Sequence, residues 1–142
     1  MVTRNGIAAV VLAMWVCSCS PSPPTGGFDL VASSVKWRPN PVHVGDQVVV
    51  DYVVRNDGIG TVGGGTYSVD FYVDGQRVAF DHETSDVLPG GSVSYGMPPG
   101  YYTWQPTNAG RFHYRFVVNE RDALPERAKT NSVLEGDIDV QP

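Results

Sequence analysis

Two cysteines carry the most reactive side chains of this 142-residue chain, and a single residue separates them. Cys17 and Cys19 follow the apolar run Ile7–Val16 and precede the proline-rich stretch Ser20–Gly27. Redox-active pairs usually have the C-x-x-C spacing, and two thiolates supply only half of the ligands of a tetrahedral zinc ion. The pair therefore does not indicate a redox or zinc site. Its place between an apolar and a polar segment indicates the processing of an exported chain.

Residues 1–18 have the order of a signal peptide: Arg4, the apolar run, then small residues. The run covers about half of the roughly 20 residues that a membrane-spanning helix needs, so we expect cleavage. Val16-Cys17-Ser18-Cys19 resembles the bacterial lipobox, which implies that Cys19 becomes the first mature residue and carries a diacylglyceryl thioether. Ordinary secretion is the alternative. Under this resemblance, Ser20 implies sorting to the outer membrane in a cell with two membranes, so we expect a lipoprotein of the outer membrane or cell surface.

Residues 19–27 are expected to form an anchor and a tether, because Ser20–Gly27 contains three prolines and ends in two glycines. Proline-rich chain extends by about 3.1 Å per residue, so eight residues reach about 20 to 25 Å. One acyl chain gives only marginal membrane binding at about 0.8 kcal/mol per buried methylene, whereas two or three chains on one cysteine hold persistently. The membrane is therefore an expected partner through Cys19.

Acidic residues beside histidine are candidate metal ligands. Asp81-His82-Glu83 and Asp86 crowd one expected loop, but adjacent residues on a strand point to opposite faces and converge poorly on one ion. A second set of oxygen ligands, of the type that Ca²⁺ prefers, precedes the last expected strand: Asn119, Asp122, Glu126 and Asn131. We favour a solvated loop for the first set and structural capping for the second, so no metal site is predicted. His43 and His113 are expected on the surface.

The stretch Gly58-Ile59-Gly60-Thr61-Val62-Gly63 is a literal G-x-G-x-x-G, the spacing found in dinucleotide-binding loops. That motif requires a helix next, whereas a strand-like sequence follows, so a glycine loop between sheets is the preferred interpretation. No G-x-S-x-G, H-E-x-x-H or C-x-x-C motif occurs in the sequence. Folding could still bring together the two carboxylates of a glycosidase, but no sequence feature indicates them. We therefore expect no enzyme activity and no cofactor.

The charge of the chain excludes one class of partner. The formal net charge is −5, and loss of Arg4 with the leader leaves nine basic and fifteen acidic residues, a net charge of −6. Binding to nucleic acid needs clustered Lys and Arg that release counterions from phosphates. A nucleic-acid partner is therefore not expected.

Alternation of apolar and polar residues dominates the rest of the chain and predicts β-strands. Tyr67–Val73 alternates strictly, and Asp74-Gly75 then supplies a type I′ hairpin turn. Val48–Val54 and Phe112–Val118 repeat the pattern. Further strands are expected near Leu30–Trp37, Ser92–Tyr95, Tyr101–Trp104 and Val133–Val140. About seven short strands without helical spacing predict one all-β domain over residues 28–142, a seven-stranded immunoglobulin- or fibronectin III-like antiparallel β-sandwich.

Several short motifs in this domain occur in a known order. They are Val44-Gly45-Asp46, Asn56-Asp57-Gly58-Ile59-Gly60, Tyr72-Val73-Asp74-Gly75, and Trp104-Gln105-Pro106 ahead of Ala109-Gly110. In this order the chain resembles the CARDB domain, the cell-adhesion-related domain found in bacteria, over about 105 residues from Asp29. The resemblance implies a seven-stranded sandwich that serves as a surface or adhesion-type module without catalytic residues.

Two stretches depart from the CARDB pattern. Gly96–Gly100 interrupts the strand that usually runs into the tryptophan, because Pro98 and Pro99 cannot donate ladder hydrogen bonds. Before the last strand, Glu126, Lys129, Asn131 and Ser132 stand where the family tends toward Glu-x-Asn-Asn. The second departure weakens any inference of an acidic cation cage.

The sequence leaves two functions open. One is a non-catalytic, lipid-anchored interaction module of the envelope or cell surface, whose candidate partner-binding residues are Met97, Tyr101 and Tyr102, because exposed aromatic and methionine side chains are typical interface anchors. The equally weighted alternative places both tyrosines in the core. The other function is a carbohydrate-binding module with an aromatic platform formed by Tyr72, Tyr95 or Tyr101, since Trp37 and Trp104 match core tryptophans of the family. The partner is thus an unidentified protein or glycan.

Overall fold

The computed structural model describes residues 27–82, 84–96, 104–121 and 123–142. All regular structure in these residues is β, which confirms the predicted all-β class. The eight strands are β1 Leu30–Arg38, β2 Val42–His43, β3 Val49–Asn56, β4 Ser68–Val73, β5 Gln76–His82, β6 Ser92–Gly96, β7 Gly110–Val118 and β8 Val133–Gln141. Among the described residues, no helix has the length and hydropathy needed to cross a membrane.

The strands form two sheets that pack face to face. One has the order β1-β3-β6, and the other has the order β2-β8-β7-β4-β5. All pairs are antiparallel except β2 with β8, which is parallel. The prediction of seven strands, all antiparallel, was therefore wrong about the short parallel strand β2. Its two residues, Val42 and His43, are too few to show a periodic sequence pattern. Of the strand expected at Tyr101–Trp104, only Trp104 is described, and it makes an isolated bridge with Val48.

The core lies between the sheets and is built by the alternating positions. Val69, Phe71 and Phe116 are fully buried in the five-stranded sheet, and Tyr52 meets them from the three-stranded sheet. The ring centroids of Tyr52 and Phe116 are 5.1 Å apart. Burial of an aromatic side chain contributes on the order of 2 kcal/mol, and a well-oriented pair adds about 1 kcal/mol. The predicted inward faces of these strands are confirmed.

The outward face of β4 is buried, whereas the sequence pattern predicts a strand that is buried on one face only. Ser68 and Asp70 point away from the core, yet they are only 6% and 2% exposed. The Asp70 carboxylate accepts hydrogen bonds from the Arg77 guanidinium at 3.1 Å and from the Ser68 hydroxyl at 3.1 Å. β4 lies between β5 and β7, and side chains from both neighbours cover this face. Both faces of β4 are therefore buried.

The two turns predicted from glycine are confirmed. Asp74 and Gly75 join β4 to β5 with φ values of 47° and 78°, which the type I′ turn requires. The loop after Asn56 joins β3 of one sheet to β4 of the other. A Cβ atom at Gly58 would lie 2.5 Å from the Gly27 carbonyl oxygen, so only glycine fits this close approach of two backbones. The loop is structural, and a strand follows it.

The strands give the domain two distinct ends. At one end the Ser132 hydroxyl donates to the Leu30 carbonyl, and Gly27 contacts the Gly58–Gly60 loop; we call this the tether end. At the other end Val44 N donates to the Gln141 carbonyl at 2.9 Å; we call this the far end. β1 and β8 both run from the tether end to the far end, so the chain enters the domain at one end and leaves it at the other.

Candidate functional site

A groove of about 350 Å³ opens at the far end. One wall is the β4–β5 hairpin from Val73 to Val78, and the other is the segment Trp104–Thr107, with Phe112 of β7 also lining the space. Its volume is at the lower end of the range of small-ligand sites. The groove is therefore large enough to bind part of a partner.

Backbone hydrogen bonds hold the Trp104 wall in place. Val48 N donates to the Trp104 carbonyl at 2.8 Å, and Gly45 N donates to the Pro106 carbonyl at 2.9 Å. The Gln105 side chain donates back to the Gly45 carbonyl at 2.8 Å. The half-buried Trp104 ring packs edge-on against Phe112, with centroids 5.1 Å apart. This wall is thus fixed to both sheets.

The hairpin wall is fixed to the neighbouring strand β7. Asp74 N donates to the His113 carbonyl at 2.8 Å, and His113 N donates to the Asp74 carboxylate at 2.9 Å. Because both walls are held by the core strands, binding needs little ordering of the groove, which favours affinity. In this groove the Trp104 ring can pack against a bound group, and the amide and carboxylate side chains beside it can form hydrogen bonds with that group.

The predicted partner-binding residues Met97, Tyr101 and Tyr102 lie outside the described residues, as does the predicted lipidation site Cys19. The segment that carries the first three joins Gly96 to Trp104. Gly96 pairs with Asp51 near the start of β3, and Trp104 lines the groove, so both flanking residues lie toward the far end. The two described residues that flank the predicted contact segment therefore lie toward the same end of the domain as the groove.

Two of the predicted sugar platforms have structural contacts. The Tyr72 hydroxyl donates to Glu120, and the Arg115 guanidinium lies 5.7 Å from the centroid of the Tyr72 ring. Burial, followed by the bond to Glu120, raises the pKa of Tyr72 to about 12. The half-buried Tyr95 packs against Tyr52, with centroids 6.1 Å apart. Tyr72 and Tyr95 thus support the sheets rather than present open ring faces.

The loop before β8 is closed by its own side chains. Glu126 accepts hydrogen bonds from Leu30 N at 3.3 Å and from the Asn119 amide, and the Ser132 hydroxyl, 2.8 Å from both Glu126 and the Leu30 carbonyl, shares its one proton between them. Asn119 also accepts from Leu124 N at 3.3 Å. Burial raises the pKa of Glu126, and the three donors only partly oppose this effect. The capping role predicted for Asn119 and Glu126 is confirmed.

The other described candidate ligands bond to separate partners. Asn131 donates to Asp29 at 2.8 Å, whereas Glu83 and Asp122 lie outside the described residues. Asp81 and His82 belong to β5 rather than to a loop, which corrects that prediction, while Asp86 accepts from Gly64 N at 2.8 Å. In the described ranges, no three His, Cys, Asp or Glu side chains are grouped so that they could hold a metal ion.

A comparison of the sequence with models of protein families shows to which family the chain belongs. A model named CARDB matches residues 27–136, which is most of the chain. The chain belongs to the CARDB family. The resemblance predicted from the sequence is thereby confirmed. No curated protein matches the chain in sequence.

Solved CARDB structures have the same fold. The solution structure of a CARDB domain from Pyrococcus furiosus has a TM-score of 0.65 and 22% identity, covering 82% of this chain and 97% of that one. A crystal structure of the same Pyrococcus domain, described as a complex with di-metal ions, has a TM-score of 0.62 and 23% identity, covering 80% and 88%. A domain of a putative cell surface protein from Methanosarcina acetivorans has a TM-score of 0.61 and 18% identity, covering 80% and 91%.

Sequence reasoning missed most of the groove in this CARDB domain. Trp104 was expected as a core residue, and it does pack against the core, but it also lines the groove. The sequence predicts Asp74 only as a turn residue, and no sequence feature indicates Gln76 or Thr107. The turn and the Trp-Gln-Pro motif are visible in the sequence, but their proximity depends on the pairing of β4 with β7.

Proposed function

We propose that this CARDB domain is a non-catalytic, lipid-anchored interaction module of the cell envelope, built on an immunoglobulin-type sandwich. In this proposal Cys19 holds the chain at the outer membrane or cell surface, and the far-end groove binds a partner protein. The observation that carries it is the placement of the groove opposite the end at which Gly27 enters the domain.

The spacing between the two ends supports this role. β1 has nine residues, and a strand rises about 3.3 Å per residue, so the ends are about 30 Å apart. A tether attached at Gly27 would leave the groove on the outward side of the domain. The Methanosarcina neighbour, named as a domain of a putative cell surface protein, is consistent with such a location.

The anchor is tested by the intact mass of the mature protein isolated from membranes. We expect a chain that begins at Cys19 and carries a mass increment of two or three acyl chains. The Cys19→Ser variant should lose this increment and leave the membrane fraction, because the anchoring free energy comes from the buried methylenes. A mature chain of unmodified mass would reject the anchor and support ordinary secretion.

Partner binding at the groove is tested by photocrosslinking from Thr107, which is exposed on the groove wall. A photoreactive residue at this position should form an adduct in cells, and the added substitution Gln76→Arg on the opposite wall should reduce its yield about tenfold or more. Ser85 is exposed at the other end and provides the control site, and Ser85→Arg provides the control substitution. Equal yields from Thr107 and Ser85, or no effect of Gln76→Arg, would reject the groove.

A carbohydrate-binding module is the second candidate. The observation in its favour is the Trp104 ring beside the side chains of Gln76 and Gln105, because aromatic and amide groups together suit a sugar ring. A glycan array distinguishes the two functions. Binding that is lost in Gln76→Arg would favour a glycan, whereas a silent array with a protein adduct at Thr107 would favour a protein.

A further inference from the structure

Two exposed apolar side chains lie at the tether end. Among the large apolar residues that the structure describes, Val44, Ile59 and Leu88 are exposed, by 41%, 87% and 61%. Val44 lies at the far end. Ile59 lies in the β3–β4 loop and Leu88 in the β5–β6 loop, both at the tether end, and we call this pair the apolar rim.

Hydrogen bonds join the two loops that carry the rim. The buried Asn56 amide donates to the carbonyls of Gly60 at 2.7 Å and Val87 at 3.0 Å, residues adjacent to Ile59 and Leu88. Val62 and Val87 exchange two backbone hydrogen bonds, at 2.8 and 3.0 Å. The rim is therefore held in place by the fold, and no rearrangement is needed to expose it.

The position of the tether indicates what the rim faces. Ile59 N and Gly60 N both donate to the Gly27 carbonyl, at 2.9 and 2.7 Å, so the chain enters the domain directly beside Ile59. Only residues 20–26 separate Gly27 from Cys19. The eight steps from Cys19 to Gly27 reach at most about 29 Å even when fully extended. A lipid on Cys19 would thus keep the rim within that distance of a bilayer.

The charges around the rim indicate the type of lipid. Arg55 and Asp57 flank the first loop and form a two-point ion pair, at 2.6 and 2.7 Å, which leaves little local net charge. Asp86 stands two residues before Leu88, and the chain after Cys17 carries a net charge of −6. An anionic surface would repel such a domain, so a neutral, zwitterionic surface fits better.

We propose that the apolar rim docks into the headgroup region of a phospholipid bilayer and holds the domain with its far end outward. The inference rests on the proposed lipid anchor at Cys19. Two apolar side chains bind a bilayer weakly by themselves. A short tether makes docking intramolecular, and its high effective concentration then allows weak contacts to set the orientation.

Site-specific fluorescence tests this docking. Once Cys17 has left with the leader and Cys19 is acylated, Ile59→Cys, Leu88→Cys and Val44→Cys each present one free thiol for a polarity-sensitive label. Each purified lipoprotein is reconstituted into phosphatidylcholine vesicles that contain brominated lipid. The labels at residues 59 and 88 should lose about half of their emission or more, because bromine on upper acyl carbons quenches a group buried 5 to 10 Å deep. The label at residue 44 should be little affected and is the matched control.

A second measurement avoids a label in the rim itself. With the label at residue 44, energy transfer to acceptors at the vesicle surface reports the height of the far end. The double substitution Ile59→Ser and Leu88→Ser changes only exposed side chains, so folding should be retained. It should increase the transfer, because an undocked domain tumbles and brings its far end closer to the surface.

The outcomes separate this inference from the proposed anchor. A lipid-modified chain with quenching at residues 59 and 88, and with increased transfer in the serine variant, supports docking. A lipid-modified chain with equal quenching at residues 44, 59 and 88, or with unchanged transfer, overturns docking and leaves the anchor intact. An unmodified mature mass overturns both.

Discussion

Replacing Asn56 with aspartate should lower the free energy of unfolding by about 3 kcal/mol or more, because two carbonyl groups would face a carboxylate in a buried site. Asn56 is fully buried, and its amide donates to the carbonyls of Gly60 and Val87. Its side-chain oxygen accepts from Gly58 N at 2.9 Å. The substitution keeps the side-chain shape and this last bond but removes both donors. Chemical denaturation followed by tryptophan fluorescence measures the loss.

Asn108→Asp is the matched control for this prediction. Asn108 is exposed, and its amide donates a long bond, of 3.4 Å, to the Thr107 hydroxyl. The same chemical change there should alter the free energy of unfolding by less than about 0.5 kcal/mol. Equal effects at the two positions would show that Asn56 does not join the loops as described.

Replacing Glu126 with glutamine should lower the free energy of unfolding by about 2 kcal/mol at pH 4.5, and by less at pH 7. Three donors converge on Glu126, one on one oxygen and two on the other, so an amide NH₂ must face a donor in either orientation. The folded-state pKa of Glu126 lies above its usual value because of burial. The contribution of Glu126 to the free energy of unfolding is therefore complete below the unfolded-state pKa. It declines as the pH rises through the folded-state pKa.

Denaturation curves of the wild type and the Glu126→Gln variant at several pH values between 4 and 8 check this result. Glu135→Gln is the control, because Glu135 is exposed and pairs with Arg115 at 3.4 Å across solvent-accessible surface. Its effect should be small at every pH. A difference between wild type and Glu126→Gln that grows with pH would mean that the fold favours the charged form, so that the hydrogen bonds to Glu126 outweigh the effect of its burial.

The core of the domain was predictable from sequence because it depends on local pattern. The alternation in Tyr67–Val73 and Val48–Val54 assigns each side chain to a face, and the apolar faces are buried in the structure. The Asp74-Gly75 turn was predictable for the same reason, since positive φ at both positions requires these residue types. Each of these features depends on neighbours within a few residues in the chain.

The burial of Asp70 and the role of Asn56 were not predictable in this way. Asp70 is covered because β4 pairs with both β5 and β7, which places Phe80 and Val117 beside it. Asn56 reaches a carbonyl 31 residues away. Strand pairing supplies the neighbours of Asp70, and the approach of two loops supplies the partner of Asn56; the pattern of a single strand specifies neither.

The position of the groove was likewise not predictable from the sequence. Trp104 lies 30 residues after Asp74, and they meet only because the Asp74 turn is bonded to His113 of β7 while Trp104 packs on Phe112 of the same strand. The composition of each wall can be read from the sequence. Their juxtaposition depends on the register of β4 against β7.

The opposite placement of the two ends has a consequence for any polypeptide attached to the domain. β8 has nine residues and finishes at Gln141 beside Val44. A reporter fused after Pro142 would therefore leave on the side away from Gly27, displaced by about 30 Å. A single copy would therefore act as a spacer that separates the segments attached to its two ends by about 30 Å.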